Sequence, residues 1–438
     1  MSPSPRAGLT ERALEVLERN RRGTWTCPAD GIYPHQWLWD SCFVAIGLAR
    51  HDPARAAGEL RALLRGQWAT GMIPHMVFAP GSHDAGSRQI WRSRTFPDAP
   101  RDVETSCITQ PPLLAVAAEH VARALAEHDR RAFLADLVPA IARHHEWLYR
   151  ERDLHETGLV TLIHPWECGL DTTPPWMQAL RRMRAPAWMR VTLALHLARV
   201  VRFLRRDTRY VPAAERPSDD DGLRMLVLAH RARRYGFELR RMPAADSVLI
   251  EDVAFNAILV AANRALTALA RDAGIELRPE LVAGIARSEH ALDTLRDERT
   301  GRYCSRDATT RSLVPVPTVA TFLPLWAGIA PDRAAQLVAL LSEPGWATTF
   351  PVPSVPTDAP DFVAERYWQG PTWVNTNWMI VQGLERAGAT AAADRLRRST
   401  LDLVAQGGCK EYFSALTGRG YGADGFSWTA ALVLDLAP

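Results

Sequence analysis

Carboxylates, amides and indoles gather in four islands of this chain where a plain helix would need none of them. The first island is Tyr33-Pro34-His35-Gln36-Trp37-Leu38-Trp39-Asp40. The second is Thr105-Ser106-Cys107-Ile108-Thr109-Gln110-Pro111-Pro112. The third is His164-Pro165-Trp166-Glu167-Cys168-Gly169-Leu170-Asp171. The fourth has two parts, Tyr367-Trp368-Gln369-Gly370-Pro371-Thr372-Trp373 and Glu411-Tyr412-Phe413 with Phe426-Ser427-Trp428. Asp, Asn and Gln can read sugar hydroxyls, and a Trp face can stack on a sugar ring while its N–H donates. Acetal hydrolysis needs two carboxyl groups across the scissile bond, one of them protonated to release the leaving alcohol. The second either attacks the sugar or activates a water on the opposite face. The candidates lie far apart in the chain, so spacing alone chooses neither the pair nor the stereochemistry. Glu167 and Asp171 are four apart and would share a face on a helix. Glu167 is expected to hold its loop as a hydrogen-bond acceptor.

The elements that must position these islands are helical from end to end. Asp52-Pro53 is a helix start, with Asp as cap and Pro in the first turn. Apolar periodicity predicts helices near 9–20, 38–50, 110–126, 130–150, 176–206, 219–235, 278–296, 332–342, 378–384, 389–405 and 425–436. The stretch from Leu249 to Leu266 is apolar on nearly all sides, as in a helix buried between layers. Gly388 is a stop signal. No run of alternating strands separates these segments, and no repeat of 20–50 residues appears. Helical hairpins in this number can stack as a solenoid or close as a toroid, and the pattern does not decide between them. Residues 74–104, with Phe78, Trp91 and Phe96, and residues 343–370, rich in proline, break the rhythm. Both read as binding loops or lids.

Bulk properties exclude several classes. An apolar fraction of 47%, a charged fraction of 23% and a net charge of +3 describe a soluble globular protein with no demand for nucleic acid or an anionic membrane. The start of the chain lacks the apolar core of a signal peptide, and no uninterrupted apolar run spans a bilayer, so a cytoplasmic location is expected. The six cysteines form no C-x-x-C pair and read as reduced, buried thiols. No metal-ligand spacing, Gly-rich phosphate loop or G-x-S-x-G element is present, so neither metal nor cofactor is expected. His144-His145-Glu146 lacks the spacing of a helical zinc site and is expected on a helix surface. Asp219-Asp220-Asp221 is expected to start a solvated helix. The 15 Trp outnumber the 12 Phe and 8 Tyr, which fits the sugar reading of the islands.

The segments QWLWDSCF, ITQPP, WECGLD, YWQGPTWVNTNW and EYFSALTG with GFSWTA, in this order, resemble glycoside hydrolase family 63. The resemblance is to its short bacterial branch, which includes mannosylglycerate and glucosylglycerate hydrolases. It runs from about residue 20 to the chain end. It implies an all-α (α/α)6 barrel of one domain over 1–438, with 74–104 and 172–250 as lid or cap insertions. It also implies an inverting α-glycosidase with Asp171, which closes the W-E-x-G-x-D motif, as general acid. Glu411, the Glu before a Tyr, is the implied general base. Trp39 and Asp40 resemble residues that hold the nonreducing sugar. Tyr367, Trp368, Gln369 and Trp373 match the Y-W-x-G-P-x-W motif of the same subsite, and Gln110 matches the glutamine of T-Q-P-P. Tyr33, Trp37, Trp166, Gly169 and Trp428 belong to the same islands and join the candidate sugar contacts. Cys168 departs from the small hydroxyl residue expected inside the acid motif and reads as packing. An R-x-D-T-R-Y stretch resembles one that donates to glycerate, which nominates Arg209 and Tyr210.

The implied partner is a small-molecule glycoside, without nucleic acid or membrane, and a homo-oligomer is allowed. The roles demand a protonated Asp171, for which Trp166, Trp176 and Leu170 offer apolar surroundings, and an ionised Glu411, beside which Lys410 stands. A trehalase- or glucoamylase-like hydrolase of neutral glucosides is the nearest rival and has no need of Arg209. A sugar-binding helical module without catalysis and a polyprenyl cyclase-like toroid are more distant.

Overall fold

The computed structural model describes residues 8–82, 84–194 and 207–437. Its helices, in chain order, begin with α1 (Leu9–Arg19), α2 (Leu38–Leu48), α3 (Pro53–Leu64), α4 (Ala85–Trp91), α5 (Leu114–Ala124) and α6 (Glu127–Trp147). Next come α7 (Pro174–Arg182), α8 (Ala187–Ala194), α9 (Asp219–Arg234), α10 (Val253–Ala273) and α11 (Pro279–Ala291). The last are α12 (Pro324–Ala327), α13 (Pro331–Leu340), α14 (Val374–Arg386), α15 (Thr390–Gly407) and α16 (Ser427–Leu436). Contacts between α2, α5, α10, α12, α14 and α16 run from each to the next and return from α16 to α2. That closure decides between solenoid and toroid: these helices form an inner ring. Helices α1, α3, α6, α11 and α15 alternate with them along the chain and pack outside. The fold is an (α/α)6 barrel.

The sequence explains which helix goes where. Every residue of α2 is buried, and α16 is nearly so, because Leu-Trp-Asp-Ser-Cys-Phe-Val-Ala-Ile-Gly-Leu has no polar face to present to water. At Gly47 a Cβ would meet the backbone of Ala431, so glycine lets α2 and α16 approach closely. By contrast α1 buries only Leu9, Ala13 and Leu17, one stripe of an amphipathic helix. Helix α10 starts where the Asp252 carboxylate accepts from the Ala254 and Phe255 N–H groups, and it ends at left-handed Gly274. It is long and apolar enough to cross a membrane by composition, and 83% of its apolar window is buried inside the protein, as the innermost layer requires.

Two sequence expectations change. Where one helix is expected over 176–206, the described residues hold two, α7 and α8, separated at 183–186, where Pro186 cannot donate to a continuing ladder. Residues 195–206, with Arg205 and Arg206, lie outside the described residues. His144 and His145 are not on a surface: both are buried on α6, which packs against α5, α10 and α11 at once. His145 Nδ1 pairs with Asn263 Oδ1 at 2.8 Å, and the Asn263 amide donates to the Tyr149 hydroxyl at 2.7 Å. His144 Nδ1 accepts from the Ile73 N–H at 3.2 Å, while the Nε2 atoms of both rings are buried without a hydrogen-bond partner. The Asp219 run does start α9, capped by Ser218, although Asp221 is buried.

Candidate active site

A cavity of about 330 Å³ opens where the loops enter the N-terminal ends of the inner helices. Its wall takes Tyr33 and Trp37 from the approach to α2, Trp39 and Asp40 from the first turn of α2, and Gln110 from the approach to α5. Trp166, Gly169 and Asp171 come from the turn after α6, Tyr367 from the approach to α14, Glu411 and Phe426 from the approach to α16, and Trp428 from the first turn of α16. The islands are therefore far apart in sequence and convergent in space. The segment between α3 and α5 adds His75, Asp84, Ser87 and Trp91, and the segment between α6 and α10 adds Asp207, Arg216 and Met225.

Short ladders fix these approaches. The strand β1 (Arg21–Arg22) pairs with β2 (Trp25–Thr26), and β3 (Gln36–Trp37) pairs with β4 (Met76–Val77). The second of these pairs lays the 74–104 segment beside the first island. Beyond it, β5 (Ile250–Glu251) pairs with β6 (Arg306–Asp307) and β7 (Tyr412–Phe413) with β8 (Gly420–Tyr421). Glu411 sits just before β7, and its N–H donates to the Ala423 carbonyl at 2.9 Å. The N–H of Ala423 returns to Glu411 Oε2 at 2.9 Å. Gly422, at φ 70°, must be glycine, because a Cβ there would lie 2.4 Å from Glu411 Oε2. Gly169 has the same status: its φ is 75°, and a Cβ would lie 2.5 Å from the Trp39 indole, which rests on it. Thus the acid-bearing turn and the first island are locked face to face.

The two proposed catalytic carboxyls stand in different surroundings. Burial pushes Asp171 up to about 7, with the Glu411 charge adding to the rise and Arg216 opposing it. Asp171 is only partly buried, as expected of a group facing the cavity. Asp40 is more enclosed, and burial holds its carboxyl well above the usual carboxylate range. Glu411 is ion-paired. Arg216 Nη1 and Nη2 donate to its Oε1 at 3.1 Å and Oε2 at 2.6 Å, and the Tyr33 hydroxyl donates to Oε1 at 2.9 Å. Lys410 does not serve as the neighbouring cation; its Nζ lies 3.4 Å from Asp424. Burial also drives His75 down to about 3, so it is a neutral ring against Trp37 and Trp91.

Several expected residues are placed elsewhere. Trp368 and Trp373 are fully buried and stack on each other at 3.7 Å, with Tyr412 on the far face of Trp373 at 4.5 Å. They and Gln369 do not line the cavity. They form a wall behind Tyr367, whose carbonyl accepts from the Trp373 indole, while the Gln369 amide donates to the Thr172 carbonyl. Tyr367 itself adopts φ 32°, a strained conformation that the stack holds in place. Arg209 and Tyr210 are exposed and absent from the lining, and the Tyr210 ring packs at Gly31. Arg216 is the single Lys or Arg of the cavity wall among the described residues. Sequence reading missed it. The signal available was Pro217, which restricts the residue before it to extended backbone; Arg216 has φ −118° and ψ 166°.

Glu167 is not on a shared helix face with Asp171, because residues 165–167 form one short turn that ends before Asp171. It is a buried hub. Arg152 Nη1 and Nη2 lie 3.0 Å and 2.9 Å from its two oxygens, and the N–H groups of Ile163 and Thr109 point to them at 2.8 Å and 3.4 Å. Through Thr109 the hub holds Gln110, whose Oε1 faces the Trp39 N–H at 3.4 Å. Glu167→Gln leaves Arg152 without its counter-charge inside the protein, so we expect a loss of about 3–5 kcal/mol in unfolding free energy. Chemical denaturation checks this; replacing the pair together, Arg152→Met with Glu167→Leu, should cost less than either single change.

All six cysteines are free and buried. Cys168 packs with its Sγ 3.1 Å from the Pro165 carbonyl, and burial drives its thiol upward. Among the described residues no group of three His, Cys, Asp or Glu is arranged to hold a metal.

Comparison with known proteins adds an independent line. The family model described as the mannosylglycerate hydrolase MGH1-like glycoside hydrolase domain matches residues 33–429. The chain is 39% identical to the mannosylglycerate hydrolase of Thermus thermophilus, over 97% of this chain and 99% of that protein. It is 34% identical to the glucosylglycerate hydrolase of Mycolicibacterium hassiacum, over 98% and 97% respectively. The crystal structure of the GH63 mannosylglycerate hydrolase from Thermus thermophilus with Tris and D-glycerate superposes with a TM-score of 0.87 at 38% identity, covering 97% of this chain and 99% of that one.

Proposed function

The chain belongs to the mannosylglycerate hydrolase MGH1-like glycoside hydrolase family, and we propose that it hydrolyses a small α-glycoside with an anionic, glycerate-type leaving group. Inversion is the stereochemical course of this reading, with Asp171 as general acid and Glu411 as general base. That the enzyme is a glycoside hydrolase follows from the family itself. The leaving-group class rests on one observation: Arg216, buried and facing the cavity, is the only Lys or Arg in the wall among the described residues. A guanidinium fork matches a carboxylate bidentately, and burial makes the pairing strong.

The roles follow from the surroundings. Asp171, raised to about 7, keeps its proton below that pH and in a large share of molecules near neutrality, and can deliver it to the departing oxygen. Glu411 accepts a proton from a water attacking the anomeric carbon from the other face. Trp39, Asp40, Gln110 and Trp428 supply the indole faces and polar groups that read a sugar ring. Mannosylglycerate and glucosylglycerate are the favoured substrates, as in the relatives of those names.

A panel of purified protein on mannosylglycerate, glucosylglycerate, glucosylglycerol and trehalose tests this reading. We expect kcat/KM for the better anionic glycoside to exceed that for either neutral one by roughly 100-fold or more, the scale of a lost charge-assisted pair left unmatched in a buried site. Arg216→Gln should raise KM for the anionic glycoside, whereas Arg209→Ala should change it little. Preference for trehalose would instead support a neutral-glucoside hydrolase.

A further inference from the structure

Every acceptor position of the Glu411 carboxylate is taken. Oε1 accepts from the Tyr33 hydroxyl and from Arg216 Nη1; Oε2 accepts from Arg216 Nη2 and from the Ala423 N–H. A carboxylate offers about four lone-pair sites, and four donors fill them. A water that is to lose its proton to Glu411 must donate into one of those sites. In this conformation the base has none to give.

The donors are not equally replaceable. The Ala423 N–H is fixed by its reciprocal backbone bond with Glu411. The Tyr33 hydroxyl itself accepts from Arg216 Nη1 at 2.8 Å and so is tied to the same cation. Arg216 alone provides two of the four donors, from a connection between helices that lines the cavity. Its Nε–H is buried without a partner, and its guanidinium lies over the Tyr33 and Tyr367 rings at 5.7 Å and 5.1 Å. A planar cation between aromatic rings, with an unused donor edge, can turn toward a second anion.

We propose that Arg216 latches the general base and that the anionic group of the substrate releases it by drawing the guanidinium fork away from Glu411. This rests on the anionic-leaving-group reading above. Once released, a Glu411 oxygen takes a proton from water as the water oxygen bonds to the anomeric carbon. The bond from that carbon to the glycerate oxygen breaks, and Asp171 gives its proton to that oxygen. Water is consumed, sugar and glycerate are formed, and the proton gained by Glu411 returns to Asp171 through solvent. Selection for anionic substrates then acts on the rate as well as on affinity, because a neutral glycoside in the same cavity leaves the base closed.

The α-mannosyl and α-glucosyl fluorides test the latch, since fluoride leaves the space beside Arg216 open to added free D-glycerate. Glycerate should raise kcat for the fluoride by roughly tenfold, a fraction of the 10²–10⁴-fold that a positioned base contributes. Arg216→Gln should turn over the fluoride at least as fast as stimulated wild type and ignore glycerate. Arg216→Lys, whose ammonium cannot cover both oxygens as a fork, should fall between. Pure inhibition of the wild type by glycerate, or loss of fluoride kcat in an Arg216→Gln protein with a normal melting curve, overturns the latch. If Arg216→Gln does not fold, stimulation of the wild type decides alone. Hydrolysis of mannosylglycerate or glucosylglycerate without stimulation of fluoride turnover overturns the latch and leaves the substrate reading standing. Hydrolysis of neither overturns both.

Discussion

Asp171→Asn should lower kcat on a natural alkyl glycoside by roughly 10³-fold, within the 10²–10⁴-fold range of a positioned general acid. Asparagine keeps the shape and cannot protonate the leaving oxygen. An aryl glycoside with an acidic phenol as leaving group needs no such proton, so the variant should recover much of its rate on that substrate. The pH profile gives a second readout. Burial raises Asp171 to about 7, so the wild-type acid is protonated below that value. Its kcat should therefore fall as pH rises through about 7, and this alkaline limb should vanish in Asp171→Asn. An unchanged limb, or no recovery on the activated substrate, would assign the acid elsewhere. Asp40 is then the next group to examine, since burial pushes its carboxyl upward as well.

The second large effect belongs to Glu411. Glu411→Gln should cost roughly 10²–10⁴-fold in kcat, with no recovery on activated leaving groups, because the missing step is activation of water. Azide needs no deprotonation and can attack the face vacated by the water. Added azide should restore turnover and give a β-glycosyl azide from an α-glycoside, and wild-type hydrolysis should release the β-anomer first in early NMR spectra. An α-anomer first would establish retention. Because Glu411 is also the buried partner of Arg216, its neutral replacement leaves an unbalanced guanidinium. Folding of the variant should be checked by circular dichroism before its kinetics are read, since breaking one side of a buried pair is costly.

Much of the site was legible because of its residue types. Indoles and amides crowd the entries to the inner helices, where packing alone would favour leucine. Trp39, Asp40, Gln110, Trp166, Gly169, Asp171, Tyr367, Glu411 and Trp428 do line one cavity. Type alone could not separate an indole that faces the cavity from one that braces it. Trp368 and Trp373 share a motif with Tyr367, yet they stack behind it, because their rings fill the space between its strained backbone and Tyr412. The cation was harder still. Arg216 is one of 52 Lys and Arg residues, and its neighbour Pro217 marks only an extended backbone there, not the anion that the side chain meets. Arg209 and Tyr210 looked more donor-rich and are exposed instead, although Asp207 beside them lines the cavity.

Helix periodicity and apolar all-round segments by themselves determined an all-helical chain with buried inner members, since burial must match the apolar faces of each segment. The order of motifs marked the carboxylates that family resemblance then named. Only the tertiary structure closed the ring from α16 to α2, because closure depends on contacts between the two ends of the chain. Only the tertiary structure placed Arg216 on Glu411, 195 residues away. The charge state and free acceptor sites of a buried carboxylate depend on what surrounds it in space. A local pattern of residues carries no record of those distant neighbours.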